Sequence, residues 1–385
     1  MRAGGATTHA NVTQTIRRRV LFALPSLRGG GAERVIVTIL RHLDRARFEP
    51  HLVLVEAVGP YLQELPADVP LHVLAAPRLR RALPSLVGTI RSVAPEVVVS
   101  TQGYLNFALL VLRGFVPDVR LVVREVIGER YLENSRFQPL FYRWYLRQVR
   151  RADRIVVQSN VARDEMRARV AVPDDRIVRI YNPVDVERLR ARASAEASPL
   201  AGAGPHVVAA GRLGRQKGFD MLLDAFAGAR RRGAAGDLTI LGEGPDRTAL
   251  EAQAARLGIA SAVRFTGFRE NPFPYFAAAD LFVLSSRYEG LPNVVLEAMA
   301  CGCPVVAFDC PRGVREIVRT GRNGVLLPPE DVAGLEDALA HLLRASEERA
   351  TLRRQIADCL APFAVPTVVR EWEALLDDLT ARAAA

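Results

Sequence analysis

Two carboxylates and two cations occupy loops from which they could act on one ligand. Over Ser285–Gly302 an apolar strand runs into a loop carrying Glu289, turns at Gly290 and starts a helix through Pro292, a residue suited to the first helical turn. Glu297 comes eight positions after Glu289, inside the apolar run Val294–Ala300. A carboxylate buried on such a run needs a hydrogen-bonding partner. Polyol hydroxyls would serve, with Glu289 reaching the mouth of a cleft and Glu297 accepting deeper along the helix; an arginine bridging to Glu297 is the plainer alternative. The helix start formed by Gly290, Leu291, Pro292, Asn293 and Val294 would meanwhile turn its free backbone N–H groups toward a phosphate.

The cations lie in Gly211–Gly218, where Arg212 and Lys217 share a glycine-bounded loop behind another apolar strand. A guanidinium fork and a compact ammonium suit a diphosphate. A solvated basic loop is the competing reading. Composition weakens it: of 52 basic residues, all are arginine except Lys217. A sequence that uses arginine wherever either cation serves, yet keeps one lysine, marks a position that needs a slimmer cation on an apolar stem. A third loop, Leu27–Arg34, sets Gly29, Gly30 and Gly31 at a helix start, where backbone can approach an anion closely. It has neither the ending of a Walker loop nor the spaced glycines of a dinucleotide fingerprint, so a plain tight turn is an equal reading.

The scaffold for these loops is written in alternating apolar runs. The first half reads as strands at Val20–Leu24, His51–Val55, Leu71–Leu74, Val97–Ser100, Leu121–Arg124 and Ile155–Gln158, with helices over Ala32–Leu43, Leu105–Arg113 and Phe137–Arg151. The second half restarts, with strands at Val207–Ala210, Leu238–Leu241, Val263–Thr266, Leu281–Leu284, Pro304–Ala307 and Val325–Leu327. Its helices fall over Gly218–Arg230, Asp246–Leu257, Asn293–Ala300, Val332–Leu343 and Pro366–Leu379. The expected fold is α/β, two doubly wound Rossmann-like domains facing across a cleft, with ligands at the carboxyl ends of the strands. The divisions are a flexible tail over 1–17, a first domain over 18–185, a strandless linker over 186–205, a second domain over 206–365 and a terminal helix over 366–385.

Bulk properties narrow the class. A chain of 385 residues, 49% hydrophobic and 24% charged, is neither disordered, collagen-like nor a disulfide-stapled miniature, and is long enough for two cores. No apolar run reaches the roughly 18 residues of a spanning helix, and Met1–Arg19 lacks the apolar centre of a signal peptide. Cys301, Cys303, Cys310 and Cys359 read as small buried thiols rather than a metal or redox site. A reduced, cytoplasmic protein follows, soluble or peripheral on a membrane. Charge is uneven: residues 1–185 hold 28 arginines against 17 carboxylates, residues 186–385 hold 24 basic against 25 acidic. Within Arg136–Arg151, Phe137, Leu140, Phe141, Trp144 and Tyr145 follow helical spacing opposite Arg136, Arg143, Arg147 and Arg150. An anionic membrane surface would suit that helix; so would a sheet with a solvated outer face. No nucleic-acid module is present, so nucleic acid is not an expected partner.

Taken together, Glu289 and Glu297, Arg212 and Lys217, and Gly29–Gly31 resemble the retaining nucleotide-sugar glycosyltransferases of the GT-B fold, family 4 (glycosyl transferases group 1). Gly242–Pro245, Arg264–Phe268 and Asn182–Asp185 match further pieces, and the resemblance covers nearly the whole chain. It implies an acceptor-binding first domain, a donor-binding second domain and a terminal helix that can cross back. It implies that Arg212 and Lys217 neutralise a leaving diphosphate, Glu297 holds ribose hydroxyls, Glu289 contacts the donor sugar, and Gly267, Phe268 and Arg269 receive the base. It also implies retention of configuration. The donor would be a nucleoside-diphosphate sugar, a UDP-sugar, with a glycan or polyprenyl-linked acceptor in cell-envelope polysaccharide assembly; the donor is a substrate, so no cofactor is expected. No Asp-x-Asp occurs, so two cations can stand in for a metal. One departure is that Ser100–Tyr104 lacks the histidine many relatives carry there; another is the pair Arg124-Glu125, found in relatives that extend lipid-linked or cell-surface glycans. An isomerase of the UDP-N-acetylglucosamine 2-epimerase type, or a non-catalytic nucleotide-sugar-binding protein, would share the fold.

Overall fold

Short apolar runs bracketed by charged residues build two all-parallel sheets in the computed structural model, which describes residues 17–75, 79–116, 118–125, 138–200 and 204–381. The first sheet comprises β1 (Arg18–Leu24), β2 (Phe48–Leu54), β3 (Leu71–Val73), β4 (Val97–Thr101), β5 (Arg120–Arg124), β6 (Arg154–Val157) and β7 (Ile177–Arg179), in the order β3-β2-β1-β4-β5-β6-β7. The second comprises β8 (His206–Ala210), β9 (Asp237–Leu241), β10 (Val263–Gly267), β11 (Leu281–Leu284), β12 (Val305–Phe308) and β13 (Gly324–Leu327), in the order β10-β9-β8-β11-β12-β13. The helices of the first half are α1 (Gly31–His42), α2 (Leu79–Val93), α3 (Gly103–Leu112), α4 (Gln138–Val149), α5 (Asn160–Arg169) and α6 (Val186–Ser194). Those of the second are α7 (Phe219–Arg231), α8 (Arg247–Arg256), α9 (Phe273–Ala278), α10 (Asn293–Ala300), α11 (Val314–Ile317), α12 (Val332–Leu342), α13 (Ser346–Leu360) and α14 (Val365–Ala381).

Strand alternation explains why these runs are apolar throughout. Successive side chains point to opposite faces, and both faces are covered. In β1, Val20, Phe22 and Leu24 join one core while Leu21 and Ala23 join another beneath α2 and α3. In β8, Val207 and Ala209 face one core and Val208 the other. Each sheet reverses its winding beside its first strand, between β1 and β4 and between β8 and β11. Loops leaving those strands diverge and open a crevice, and they are the loops that carry Gly29–Gly31, Gln102, Arg212–Lys217 and Glu289.

The terminal helix returns to the first domain. Val368, Trp372, Leu375, Leu376 and Leu379 of α14 enter the core that contains Phe22 and Val99, each such burial contributing about 1.5–3 kcal/mol. Arg47 bridges to Glu373 at 2.8 Å, and Arg18 and Arg154 pair with Asp377 and Asp378. Among its described residues the expected linker, 186–205, contains no strand, and its first half is helix α6. Leu189 and Ala193 lie buried against α9 and α10, an apolar stripe hidden in sequence by the surrounding arginines. The segments α2, α5, α9, α11, α13 and β7 were not given as elements from the sequence. Residues 1–16 of the expected tail lie outside the described residues. So do Arg136 and Phe137 of the expected amphipathic helix. In α4, Tyr142, Tyr145 and Val149 are buried against the sheet, whereas Trp144 is 46% exposed beside the exposed Arg143 and Arg147. Tyr145 therefore serves the core, as a sheet-covering helix requires, and Trp144 lies on the outer face with the arginines. Among the described residues no helix is long and apolar enough to cross a membrane.

Candidate functional site

The strand ends of both sheets meet at a cleft of about 1090 Å³. Its second-domain wall carries the lysine. Lys217 Nζ donates to Glu289 Oε1 at 2.5 Å, and Ser286 Oγ donates to the same oxygen at 2.7 Å. Glycine makes room for the lysine stem: at Gly211 (φ 155°) a Cβ would stand 2.8 Å from Lys217 Cε. Gly218, left-handed at φ 61°, ends the turn where a Cβ would strike Ser285 O at 2.1 Å. Arg212 lines the same cleft, exposed, and makes no ion pair or hydrogen bond among the described residues.

Glu297 sits on α10, 8% exposed, and lines the cleft. Its Oε1 accepts from Arg34 Nη1 of α1, across the interdomain boundary. The arginine bridge is thus the arrangement present, although Glu297 Oε2 carries no hydrogen bond among the described residues. Arg34 Nε donates to Tyr61 Oη at 2.7 Å, and its guanidinium lies over the Tyr61 and Phe273 rings at 5.3 and 5.7 Å. Burial alone would lower the pKa of Arg34, but Glu297 and Tyr61 outweigh it and hold the guanidinium above its ordinary value. The same burial pushes the Tyr61 hydroxyl up, with Arg34 pulling against it and Glu297 adding to it.

Two helix starts converge beside this pair. Gly30 is the N-cap of α1 and Gly31 its first residue; a Cβ on Gly31 would stand 2.5 Å from Asn293 Nδ2. Asn293, the first residue of α10, instead donates Nδ2 to Gly31 O at 2.9 Å, and its Oδ1 accepts from Asn182 Nδ2 at 2.6 Å. Glycine at 31 therefore lets the start of α10 approach the start of α1, and helix starts carry free N–H groups suited to an anion. Gly29, Gly30, Gly31, Gly290, Leu291, Pro292, Asn293, Val294, Phe268 and Arg269 all line the cleft. Gly267 does not. It is buried at φ 77°, accepts from Gly242 N at 2.9 Å, and sets the turn that brings Phe268, 65% exposed, to the rim.

The first-domain floor holds residues that sequence reasoning noticed without assigning. Gln102 stands at the place of the absent histidine, at φ 78° and ψ 123°, a conformation costing a non-glycine residue about 1–3 kcal/mol. Its Nε2 donates to Glu33 Oε1 at 3.1 Å. Arg124 and Glu125 do not pair, because they leave the end of β5 on opposite faces. Arg124 reaches Thr101 Oγ1 at 3.3 Å and Asn182 Oδ1 at 2.6 Å, and burial brings it down to about 10. Glu125 accepts from Asn106 Nδ2 at 2.8 Å, and burial pushes it up to about 7 against that bond. Arg34, Tyr61 and Asn182 were missed as site residues; only a charge ending a buried strand, as at Arg124, left a readable signal. The four cysteines are free thiols; burial pushes Cys301 and Cys310 up to about 12.

Comparison with known proteins agrees on the class. The profile described as Glycosyltransferase Family 4 matches residues 29–188, and that described as Glycosyl transferases group 1 matches residues 204–345. A GDP-mannose-dependent alpha-mannosyltransferase of Mycobacterium tuberculosis is 30% identical over 330 residues, 75% of this chain and 82% of that protein. The N-acetylgalactosamine-N,N'-diacetylbacillosaminyl-diphospho-undecaprenol 4-alpha-N-acetylgalactosaminyltransferase of Campylobacter jejuni is 27% identical over 338 residues, 84% of this chain and 90% of that enzyme. The crystal structure of Anabaena HepE in complex with UDP superposes with a TM-score of 0.77 over 94% of this chain and 100% of HepE, at 22% identity, a likeness of fold. With two GT-B domains, both matched along their length, the chain belongs to the group 1, family 4 glycosyltransferases.

Proposed function

We propose that the chain transfers a sugar from a nucleoside-diphosphate sugar, a UDP-sugar, to a glycan or polyprenyl-linked acceptor in cell-envelope polysaccharide assembly, with retention and without a metal. One observation carries this reading: Arg212, Lys217, the start of α10 and Glu297 line one wall of a single cleft. As the glycosidic C–O bond breaks, its electron pair passes to the diphosphate, and the charge that develops meets an exposed guanidinium, an ammonium and free backbone N–H groups. Lys217 has three N–H donors, so it can hold Glu289 and a phosphate oxygen together. Glu297 keeps Oε1 on Arg34 and gives Oε2 to ribose hydroxyls, while Glu289 meets the donor sugar. Phe268 and Arg269 receive the base, with Gly267 shaping their turn. The attacking acceptor hydroxyl approaches from the first domain and gives its proton to an oxygen of the departing diphosphate as the new bond forms.

A lipid-linked acceptor is supported by the undecaprenol-linked substrate in the name of the Campylobacter relative. It also agrees with the exposed Trp144, whose ring lies 4.5 Å from Phe107, beside Arg143 and Arg147. That face would rest on an anionic membrane from the cytoplasmic side. The deciding assay incubates the protein with UDP-sugars, candidate glycan and polyprenyl-linked acceptors, and EDTA, following UDP release and the anomeric signal of the product. Turnover in EDTA with retained configuration is expected. Unconsumed donor with every acceptor would overturn the enzyme reading, and chelator-blocked turnover or an inverted product would overturn those two elements. Flotation with anionic vesicles at low salt tests the membrane face, which absence of binding removes.

A further inference from the structure

Helix α5 of the first domain is completed by the second domain. Its N-cap, Ser159, serves one of the first backbone donors, accepting from Ala162 N at 3.1 Å. The two donors before that one, Asn160 N and Val161 N, reach Glu316 Oε1 of α11 at 2.8 and 3.3 Å. Glu316 Oε2 accepts from Asn160 Nδ2 at 2.9 Å and from Tyr181 Oη at 2.7 Å. A carboxylate suits the positive end of a helix, but this one comes from the other domain, 156 positions away. All of these donors belong to the first domain, so the start of α5 meets its partner only when the domains are apposed. Burial, and then Glu316, pushes the Tyr181 hydroxyl up to about 12, which keeps it a donor. The Tyr181 ring lies 4.6 Å from Phe363, beside the point where Val184 N donates to Phe363 O and the chain passes between the domains.

The segment that carries Glu316 is itself held between the two walls of the cleft. Arg312, 7% exposed, stands at φ 91°, a backbone region that non-glycine residues rarely adopt and that persists where the surroundings impose it. Ser159 Oγ donates to the Arg312 carbonyl, and the Arg312 guanidinium pairs with Glu165 of α5 at 2.9 Å. At the next residue, a Cβ on Gly313 would stand 3.1 Å from Gly290 O and 3.2 Å from Ser159 Cβ. The turn Arg312–Gly313 therefore touches the loop before α10 on one side and the first domain on the other. Gln158, adjacent to Ser159, lines the cleft together with Gly290, Leu291, Pro311 and Arg312.

We propose that Glu316 is a positioning residue for the transfer: with the Arg312–Gly313 turn it holds the start of α5 against the second domain, and so sets how closely the first-domain floor faces Gly290 and Leu291. The proposal rests on the transferase reading above. Glu316 differs in this respect from Glu297. Glu297 has one oxygen on Arg34 and the other without a hydrogen bond among the described residues, open to a ligand. A carboxylate offers about four lone-pair sites, and Glu316 gives them to Asn160 N, Val161 N, Asn160 Nδ2 and Tyr181 Oη. It therefore holds rather than binds. Attack across a cleft depends steeply on the spacing it holds, since a misplacement of about 1 Å costs on the order of 10²-fold in rate.

The test compares wild type with Glu316→Gln and Glu316→Ala. Each is followed by thermal melts, small-angle scattering, calorimetric titration of UDP, and kinetics with the UDP-sugar and acceptor that turn over in the assay above. Glu316→Gln keeps one acceptor oxygen and should lower kcat about tenfold; Glu316→Ala removes both and should lower it about 10²-fold. UDP affinity should stay within about twofold of wild type, because Glu316 faces α5 and not the nucleotide, and the radius of gyration should rise in the order in which kcat falls. A folded variant with wild-type kcat, or with a wild-type radius, would overturn the proposal and leave Glu316 as a cap on α5 alone. UDP affinity falling in step with kcat would also overturn it, by making Glu316 a support of the second-domain wall. Should both variants fail to fold, Tyr181→Phe carries the same comparison: it removes one hydrogen bond to Glu316, keeps the ring on Phe363, and should lower kcat a few-fold with UDP affinity unchanged. If wild type transfers no sugar, the transferase reading fails, while scattering and UDP titration still decide whether Glu316 holds the domains together.

Discussion

Glu289 and Glu297 are eight residues apart, yet they hold cations of different origin. Glu289 takes Lys217 from its own domain, from a loop 72 positions away in sequence. Glu297 takes Arg34 from the opposite domain, 263 positions away. The first pair is complete whenever the second domain folds. The second exists only while the domains are apposed, so one pair is internal to the second-domain wall and the other spans the cleft. The burial of the two differs little, with side-chain exposures of 17% and 10% in the first pair and 27% and 11% in the second. What separates them is topology.

The sharpest way to break that contrast is Lys217→Ala. Loss of one preorganised cation at a developing charge should lower kcat by roughly 10²–10³-fold with the melting temperature little changed; wild-type turnover would remove Lys217 from the mechanism. Arg34→Ala comes next and acts on the other pair. It leaves Glu297 without its buried partner and should destabilise the chain by about 3 kcal/mol, with a larger radius of gyration by small-angle scattering as the domains part. An unchanged melt and radius would mean the pair does not hold the cleft closed.

Glu125 supplies a carboxylate that pairs with no cation among the described residues and accepts from Asn106 instead. Its folded value is raised from 4.5 to about 7 by burial, so between those values the folded chain keeps a proton that the unfolded chain has released. Stability should therefore fall as pH rises from about 4.5 to about 7 and level off above, by up to about 3 kcal/mol at 1.36 per unit. Glu125→Gln should flatten that slope in denaturant titrations at pH 5 and pH 8; an unaltered slope would assign the loss elsewhere. The smallest effect is expected for Gly31→Ala. The added methyl meets Asn293 Nδ2 at 2.5 Å, and a shift of that amide should cost about 1 kcal/mol, seen as a few-fold rise in donor KM at nearly constant kcat. A fall in kcat instead would place the contact in the transition state.

The second-domain wall was legible because its signals are local. A glycine-bounded loop, a single lysine and a carboxylate in an apolar helix lie within short segments, and strand–loop–helix order places them at one sheet edge. Within the strandless linker at residues 186–205, α6 was not legible because it shows only Val186, Leu189 and Ala193 as an apolar stripe among arginines. The role of Arg34 was not legible, because nothing near it in sequence refers to Glu297. In α4 the pattern of aromatics and arginines allowed either a membrane or a sheet beneath; burial of Tyr145 and Val149 settled the inner face, and left Trp144 outside.

The sequence by itself determined the two parallel sheets and the residues of the second-domain wall, since apolar alternation and turn chemistry act between near neighbours. Only the tertiary structure decided which charges meet. Ion pairing depends on side-chain approach to within a few ångströms between segments hundreds of positions apart. That is why Arg34 finds Glu297, Arg124 meets no carboxylate among the described residues, and Arg124 and Glu125, adjacent in the chain, face opposite ways.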